Sequence, residues 1–112
     1  MKILERNDGP KIPYSVDGTL LNLDNRMILN AEAYELDEEN HLYLYQNRYG
    51  CLLCSADGSE DSESCYVAEL FIPPRAYQSD RKAVYEGNLP VVKKTAVPFD
   101  MDRCTLALWS LE

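Results

Sequence analysis

The sequence predicts an all-β fold: a single-domain antiparallel sandwich or partly open barrel of about seven to eight strands. Three observations carry that prediction. Short runs of alternating, β-branched and aromatic residues recur along the 112 residues, and clusters of Gly, Pro, Asn and Asp punctuate them at fairly regular intervals. No sustained helical period lies between the runs. A chain of this length buries roughly two-thirds of the surface its unfolded form exposes, enough for one core. With 46% hydrophobic and 27% charged residues, it is too apolar for a disordered chain, so residues 1–112 are read as one β domain. The terminal Leu111-Glu112 is expected to be a remnant of a tag junction and is given no functional weight.

Residues 1–13 mix Lys2, Glu5, Arg6, Asp8 and Lys11 with little continuous apolar character, which fits neither a signal peptide nor a membrane span. Residues 12–23 carry the clearest local signal. Asp17-Gly18 suits a two-residue hairpin turn, because Gly tolerates positive φ freely and Asp better than most. That turn sets Val16 opposite Thr19, Tyr14 opposite Leu21 and Ile12 opposite Leu23, all on one face. Pro13, Ser15, Leu20 and Asn22 make the more polar face, so turn and pattern select the same register. Pro13 has no N–H to donate and belongs on an edge strand or at a strand start.

Asp24-Asn25 reads as a second turn. Residues 26–36 then fit two descriptions: a strand with Met27, Leu29, Ala31 and Ala33 on one face, or a helix with Leu29, Ala33 and Leu36 at i, i+4 and i+7. The strand is preferred, since the polar clusters at 24–25 and 37–40 resemble the punctuation of a meander. Residues 41–46 form an aromatic and apolar strand, continued past Gly50 into residues 51–54. Residues 55–64 are small or acidic and read as an exposed loop. Residues 65–72 are a strand ended by Pro73-Pro74. Residues 75–85 read as loop, with a short strand at 83–86. Gly87-Asn88 and Pro90 punctuate again before a strand at 91–97, a connection at 98–102 and a last strand at 104–109. In that strand Trp109 is expected in the core.

A net charge of −8 repels a phosphate backbone, and the pairs Arg81-Lys82 and Lys93-Lys94 are too short to reverse it, so no nucleic-acid partner is expected. Cys51, Cys54, Cys65 and Cys104 come without a secretory signal, which points to the cytoplasm, where thiols stay reduced. Cys51-x-x-Cys54 has the spacing of half a zinc site. The other half is missing, because Cys65, Cys104 and the single histidine, His41, stand alone, and Leu52-Leu53 is no metal knuckle. A small zinc-binding protein using Cys51 and Cys54 is nonetheless the alternative reading. A thioredoxin-like redox pair lacks its βαβ context.

Asp57, Glu60, Asp61 and Glu63 bunch hard oxygen donors without the spacing of a calcium loop, so they read as surface acid. Glu35, Asp37, Glu38 and Glu39 bunch at an expected turn. No triad, phosphate loop or zinc-protease motif is present, so no catalytic, cofactor-binding or metal residues are assigned and no enzyme is expected. Tyr43 and Tyr45 share one strand face, which Tyr14, Tyr34 or Tyr66 would extend into a cross-strand patch. Aromatic patches suit recognition, although tyrosines also line ordinary sandwich cores. The functional expectation is a non-enzymatic protein-binding or assembly module whose partner is another protein or a second copy of itself, with no membrane contact.

Overall fold

A computed structural model describes residues 1–58, 64–79, 84–86, 89–91 and 94–111. Those residues form twelve strands: β1 Lys2–Glu5, β2 Tyr14–Asp17, β3 Leu20–Leu23, β4 Met27–Asn30, β5 Asn40–Gln46, β6 Leu52–Ser55, β7 Cys65–Ile72, β8 Tyr77–Ser79, β9 Val84–Glu86, β10 Leu89–Val91, β11 Lys94–Ala96 and β12 Thr105–Leu108. A five-stranded sheet runs β1-β12-β7-β5-β6 and a three-stranded sheet runs β2-β3-β4. The fold is all-β and its sheets stay open. Among the described residues no helix is long and apolar enough to cross a membrane.

The core lies between the two larger sheets. Alternation turns Leu42 and Leu44 of β5, Leu70 and Ile72 of β7, and Leu106 and Leu108 of β12 to one side, where they cluster with Leu21, Leu23 and Leu29 of the smaller sheet. Ile12, Ala31, Met101 and Cys104 fill the ends of this layer. Val67 and Ala68 are both buried because the β5–β7 ladder shifts register after Leu44, pairing Leu44 with Ala68 but Tyr45 with Tyr66. The extra residue is a bulge.

Three details depart from expectation. The first hairpin pairs Val16 with Leu21 and Tyr14 with Leu23, so its corner is Gly18-Thr19 and not Asp17-Gly18. Gly18 takes φ 60° at the corner position that a type II′ turn reserves for glycine. The slip is two residues, which preserves the facing of every side chain. Second, residues 26–36 are divided: β4 ends at Asn30 and a 3-10 turn occupies Ala31–Tyr34. Leu29 and Ala31 are buried whereas Ala33 is exposed. Third, β1 pairs with β12 in parallel, so the large sheet is not purely antiparallel. Parallel neighbours need a long connection, and here nearly the whole chain supplies it. The expected turn at Asp24-Asn25 is present, with φ of 54° and 55° as a type I′ corner requires. Asn22 Nδ2 donates to Asn25 Oδ1 and the Asn25 backbone N–H donates to Asn22 Oδ1, each at 3.0 Å.

The strand count exceeds seven or eight because β1 was not anticipated and because residues 77–96 contribute four short strands. β8 pairs with β11 and β9 with β10, each antiparallel, and neither pair joins the larger sheets. The molecule is elongated. Its extents are 63 × 27 × 22 Å with a radius of gyration of 18.3 Å, against about 13 Å for a compact chain of this length. Arg75 and Tyr77 tie the start of β8 to residues 35–37. Arg75 reaches Glu35 and Asp37 at 3.3 Å each, Tyr77 donates to Asp37, and backbone bonds of 2.8 Å join Arg75 to Leu36 and Val97 to Ala76. These carboxylates and the Tyr77 hydroxyl raise the Arg75 pKa above its ordinary value, the Tyr77 bond most of all.

Candidate functional site: the outer face of the large sheet

Sending Leu42 and Leu44 inward leaves His41, Tyr43 and Tyr45 on the opposite face of β5. Register then places His41 beside Phe71, Tyr43 beside Glu69 and Tyr45 beside Tyr66 on β7. The rings touch in series. His41 lies 4.2 Å from Tyr43 and 4.1 Å from Phe71 between centroids, while Tyr66 lies 5.5 Å from Tyr43 and 6.2 Å from Tyr45. Tyr66 is 38% exposed, as is its neighbour on the far side of Tyr45, Leu53. Gly58, at φ 79°, passes close beside this cluster, where a Cβ would stand 2.8 Å from the Tyr66 hydroxyl and 3.7 Å from the Tyr43 ring.

Glu69 sits in the middle of the face and is only 7% exposed. An isolated buried carboxylate costs several kcal/mol, and here three donors offset that cost. Oε2 accepts from Arg6 Nε at 3.1 Å and from Trp109 Nε1 at 3.0 Å, and Oε1 faces His41 Nε2 at 3.1 Å. Against a carboxylate oxygen, that imidazole nitrogen must carry the proton. The Arg6 guanidinium also lies over the Phe71 ring, 5.7 Å from its centroid. Among the described residues no buried side-chain polar atom lacks a partner. Both oxygens of Glu69 are thus committed within the sheet, and the carboxylate acts as a clamp that fixes an arginine, a histidine and a tryptophan around an aromatic surface.

The expected pairing of Tyr43 and Tyr45 on one face is present, and Tyr66 extends it. Tyr14 and Tyr34 do not: one lies on β2 and the other in the 3-10 turn after β4. Trp109 is half-buried on the outer face and not in the core. Thr105 and Ala107 point away from Leu106 and Leu108, and Trp109 follows that alternation. Arg6, Glu69 and Phe71 were not anticipated. Glu69 had a legible signal, as the one charged residue within the otherwise apolar run 67–72.

The cysteines do not converge with His41. Cys51 and Cys65 are exposed, Cys104 is buried in the core, and Cys54 is half-buried opposite Leu44. Burial pushes the Cys54 and Cys104 thiols above their ordinary value of 9.0. Among the described residues no three of His, Cys, Asp and Glu gather as a metal-binding set. Of the acidic loop, Asp57 is exposed and Glu60, Asp61 and Glu63 lie outside the described residues, as do Arg81, Lys82 and Lys93. Glu35 and Asp37 hold Arg75, whereas Glu38 and Glu39 are exposed. A shallow depression of about 230 Å³ lies elsewhere, lined by Pro13, Tyr14, Ser15, Asn22, Asp24 and Asn25. Its only ionisable groups, Tyr14 and Asp24, make no catalytic pair. No family model, curated protein or solved structure matches this chain.

Proposed function

We propose that this chain is a non-enzymatic protein-binding or assembly module that presents the outer face of its five-stranded sheet. One observation carries the reading: the Glu69 clamp holds Arg6, His41 and Trp109 in fixed positions around the aromatic cluster of Tyr43, Tyr45, Tyr66 and Phe71. Aromatic and arginine side chains held still beforehand lose little entropy on binding, which is how such residues come to dominate protein interfaces. Each Glu69 oxygen already has a partner within the sheet, so the carboxylate is read as structural and not as a general base. Four free thiols fit a cytoplasmic location. The charge of −8 disfavours nucleic acid, and no membrane role is included. The zinc reading centred on Cys51 and Cys54 gains nothing from the separation of the cysteines from His41.

The test compares wild type with the double variant Tyr43→Ser/Tyr66→Ser in affinity capture from the source cell, followed by titration of each captured protein against both forms. Wild type is expected to retain a partner that the variant loses. A partner bound equally by both forms would refute the assignment of the face.

A further inference from the structure

We propose that His41 makes the outer face a proton-sensitive binding surface, neutral at its centre in one state and positively charged in the other. The inference rests on the binding role of that face proposed above and concerns its regulation. His41 is the only histidine in the chain, and histidine is the side chain whose charge ordinarily changes between about pH 5 and 8. Its ring stands between two others, with the Phe71 centroid at 4.1 Å and the Tyr43 centroid at 4.2 Å. The side chain is 29% exposed, so a proton reaches it without opening the sheet.

The surroundings hold the ring in place in both states. Nε2 donates to Glu69 Oε1 at 3.1 Å, so uptake of a proton falls to Nδ1, which changes from acceptor to donor. The Arg6 guanidinium and the Glu69 carboxylate balance one another at 3.1 Å. The set of Arg6, Glu69 and His41 therefore passes from neutral to singly positive. Two π systems this close tolerate a cation between them, and the bond to Glu69 becomes charge-assisted. The titratable and charged groups around His41 are Glu69 on β7, Arg6 after β1 and Tyr43 on its own strand. Beyond the β6 ladder, which ends at Ser55 opposite Tyr43, the next charged residue is Asp57.

The change is felt on both sides of the carboxylate. Trp109 Nε1 donates to Glu69 Oε2 at 3.0 Å, so the indole shares the group that His41 holds. On the open side, the new charge lies amid the aromatic cluster. A chain of net −8 draws cationic surfaces, and a positive charge arising at the centre of the contact opposes them. A partner is thus held at neutral pH and released as pH falls.

The experiment has two arms, each on wild type and His41→Gln. Gln donates an amide N–H toward Glu69 and carries no charge, so the clamp is kept and the switch removed; circular dichroism checks that the variant is folded. In the first arm, without a partner, the His41 ring protons are followed by NMR and Trp109 by its emission from about pH 5 to 8. Wild type is expected to show one ring titration with a matching change in emission, and His41→Gln a flat emission. In the second, the partner captured as described above is titrated at the two ends of that interval. Wild type is expected to bind roughly tenfold more weakly at the acid end, and His41→Gln equally at both. A ring that does not titrate in the interval, an emission change that survives in His41→Gln, or the same pH dependence of affinity in both forms overturns the proposal. The binding reading fails separately. A partner indifferent to Tyr43→Ser/Tyr66→Ser refutes the face itself, whereas one that needs Tyr43 and Tyr66 but binds wild type equally at both ends refutes only the switch.

Discussion

Replacing Glu69 tests whether the outer face is built around its carboxylate. In Glu69→Leu, three donors lose their acceptor: Arg6 Nε, His41 Nε2 and Trp109 Nε1, now bonded at 3.0 to 3.1 Å. Arg6 and His41 are 35% and 29% exposed at their side chains, so both recover much of their hydration and their loss is discounted. The indole N–H of half-buried Trp109 has no charge to draw water and bears the penalty of an unmet donor, about 1–3 kcal/mol. Together the loss is estimated at about 2–4 kcal/mol, or a fall in melting temperature of roughly 10 °C for a domain of this size. Glu69→Gln keeps an oxygen for Arg6 and Trp109 and turns its amide toward His41, which then accepts through Nε2. It is expected to cost about half as much. Urea unfolding is the assay, followed by the fluorescence of the single tryptophan and independently by circular dichroism. A well-packed hydrophobe sometimes outperforms a buried ion pair. If Glu69→Leu unfolds within about 0.5 kcal/mol of wild type or above it, the clamp is not what organises this face.

Three further perturbations address other parts of the fold. Gly18→Ala and Gly9→Ala both place a side chain at positive φ, but only the second meets an obstacle, with Ser110 Oγ 2.3 Å from the new Cβ. Gly18→Ala is therefore expected to cost about 1 kcal/mol by conformation alone and Gly9→Ala measurably more, as read by urea midpoints. Burial raises the Cys54 and Cys104 thiols above 9.0, so above that pH the unfolded chain releases protons that the folded chain retains. Stability from these groups is intact below pH 9 and declines as pH rises toward the folded values. Unfolding midpoints measured across that range are expected to fall less steeply in Cys104→Ala than in wild type. At neutral pH a maleimide is expected to label exposed Cys51 and Cys65 first, Cys54 slowly and Cys104 only on unfolding. Rapid labelling of Cys104, located by peptide mass, would contradict its burial.

Local chemistry made most of the strands legible. The run 65–72 is strand from end to end because its β-branched and aromatic residues stop at two prolines. The turn at Asp24-Asn25 follows from the tolerance of those residues for left-handed φ. The first hairpin misplaces its corner because Asp-Gly and Gly-Thr both offer a glycine, and the two registers give the same facing. β1 escaped notice since its stability is nonlocal: Lys2–Glu5 is exposed throughout and is held by its ladder to β12, more than 100 residues away. The site divides along the same line. Tyr43 and Tyr45 share a face by period alone, whereas Arg6, His41 and Trp109 meet at Glu69 only once β1, β5, β7 and β12 have been ordered. No spacing in the sequence encodes that order.

The sheet edges explain why this fold does not invite association through an open strand. β6, at one edge of the large sheet, is four residues long, and β1, at the other, flanks its apolar Ile3-Leu4 with the charges Lys2 and Glu5. In the smaller sheet β2 follows Pro13 and ends in Asp17, and the turn leading into β4 is tied across the molecule by Arg26, which donates to the Gly50 carbonyl at 3.2 Å. Short, charged or tethered edges resist indefinite edge-to-edge pairing.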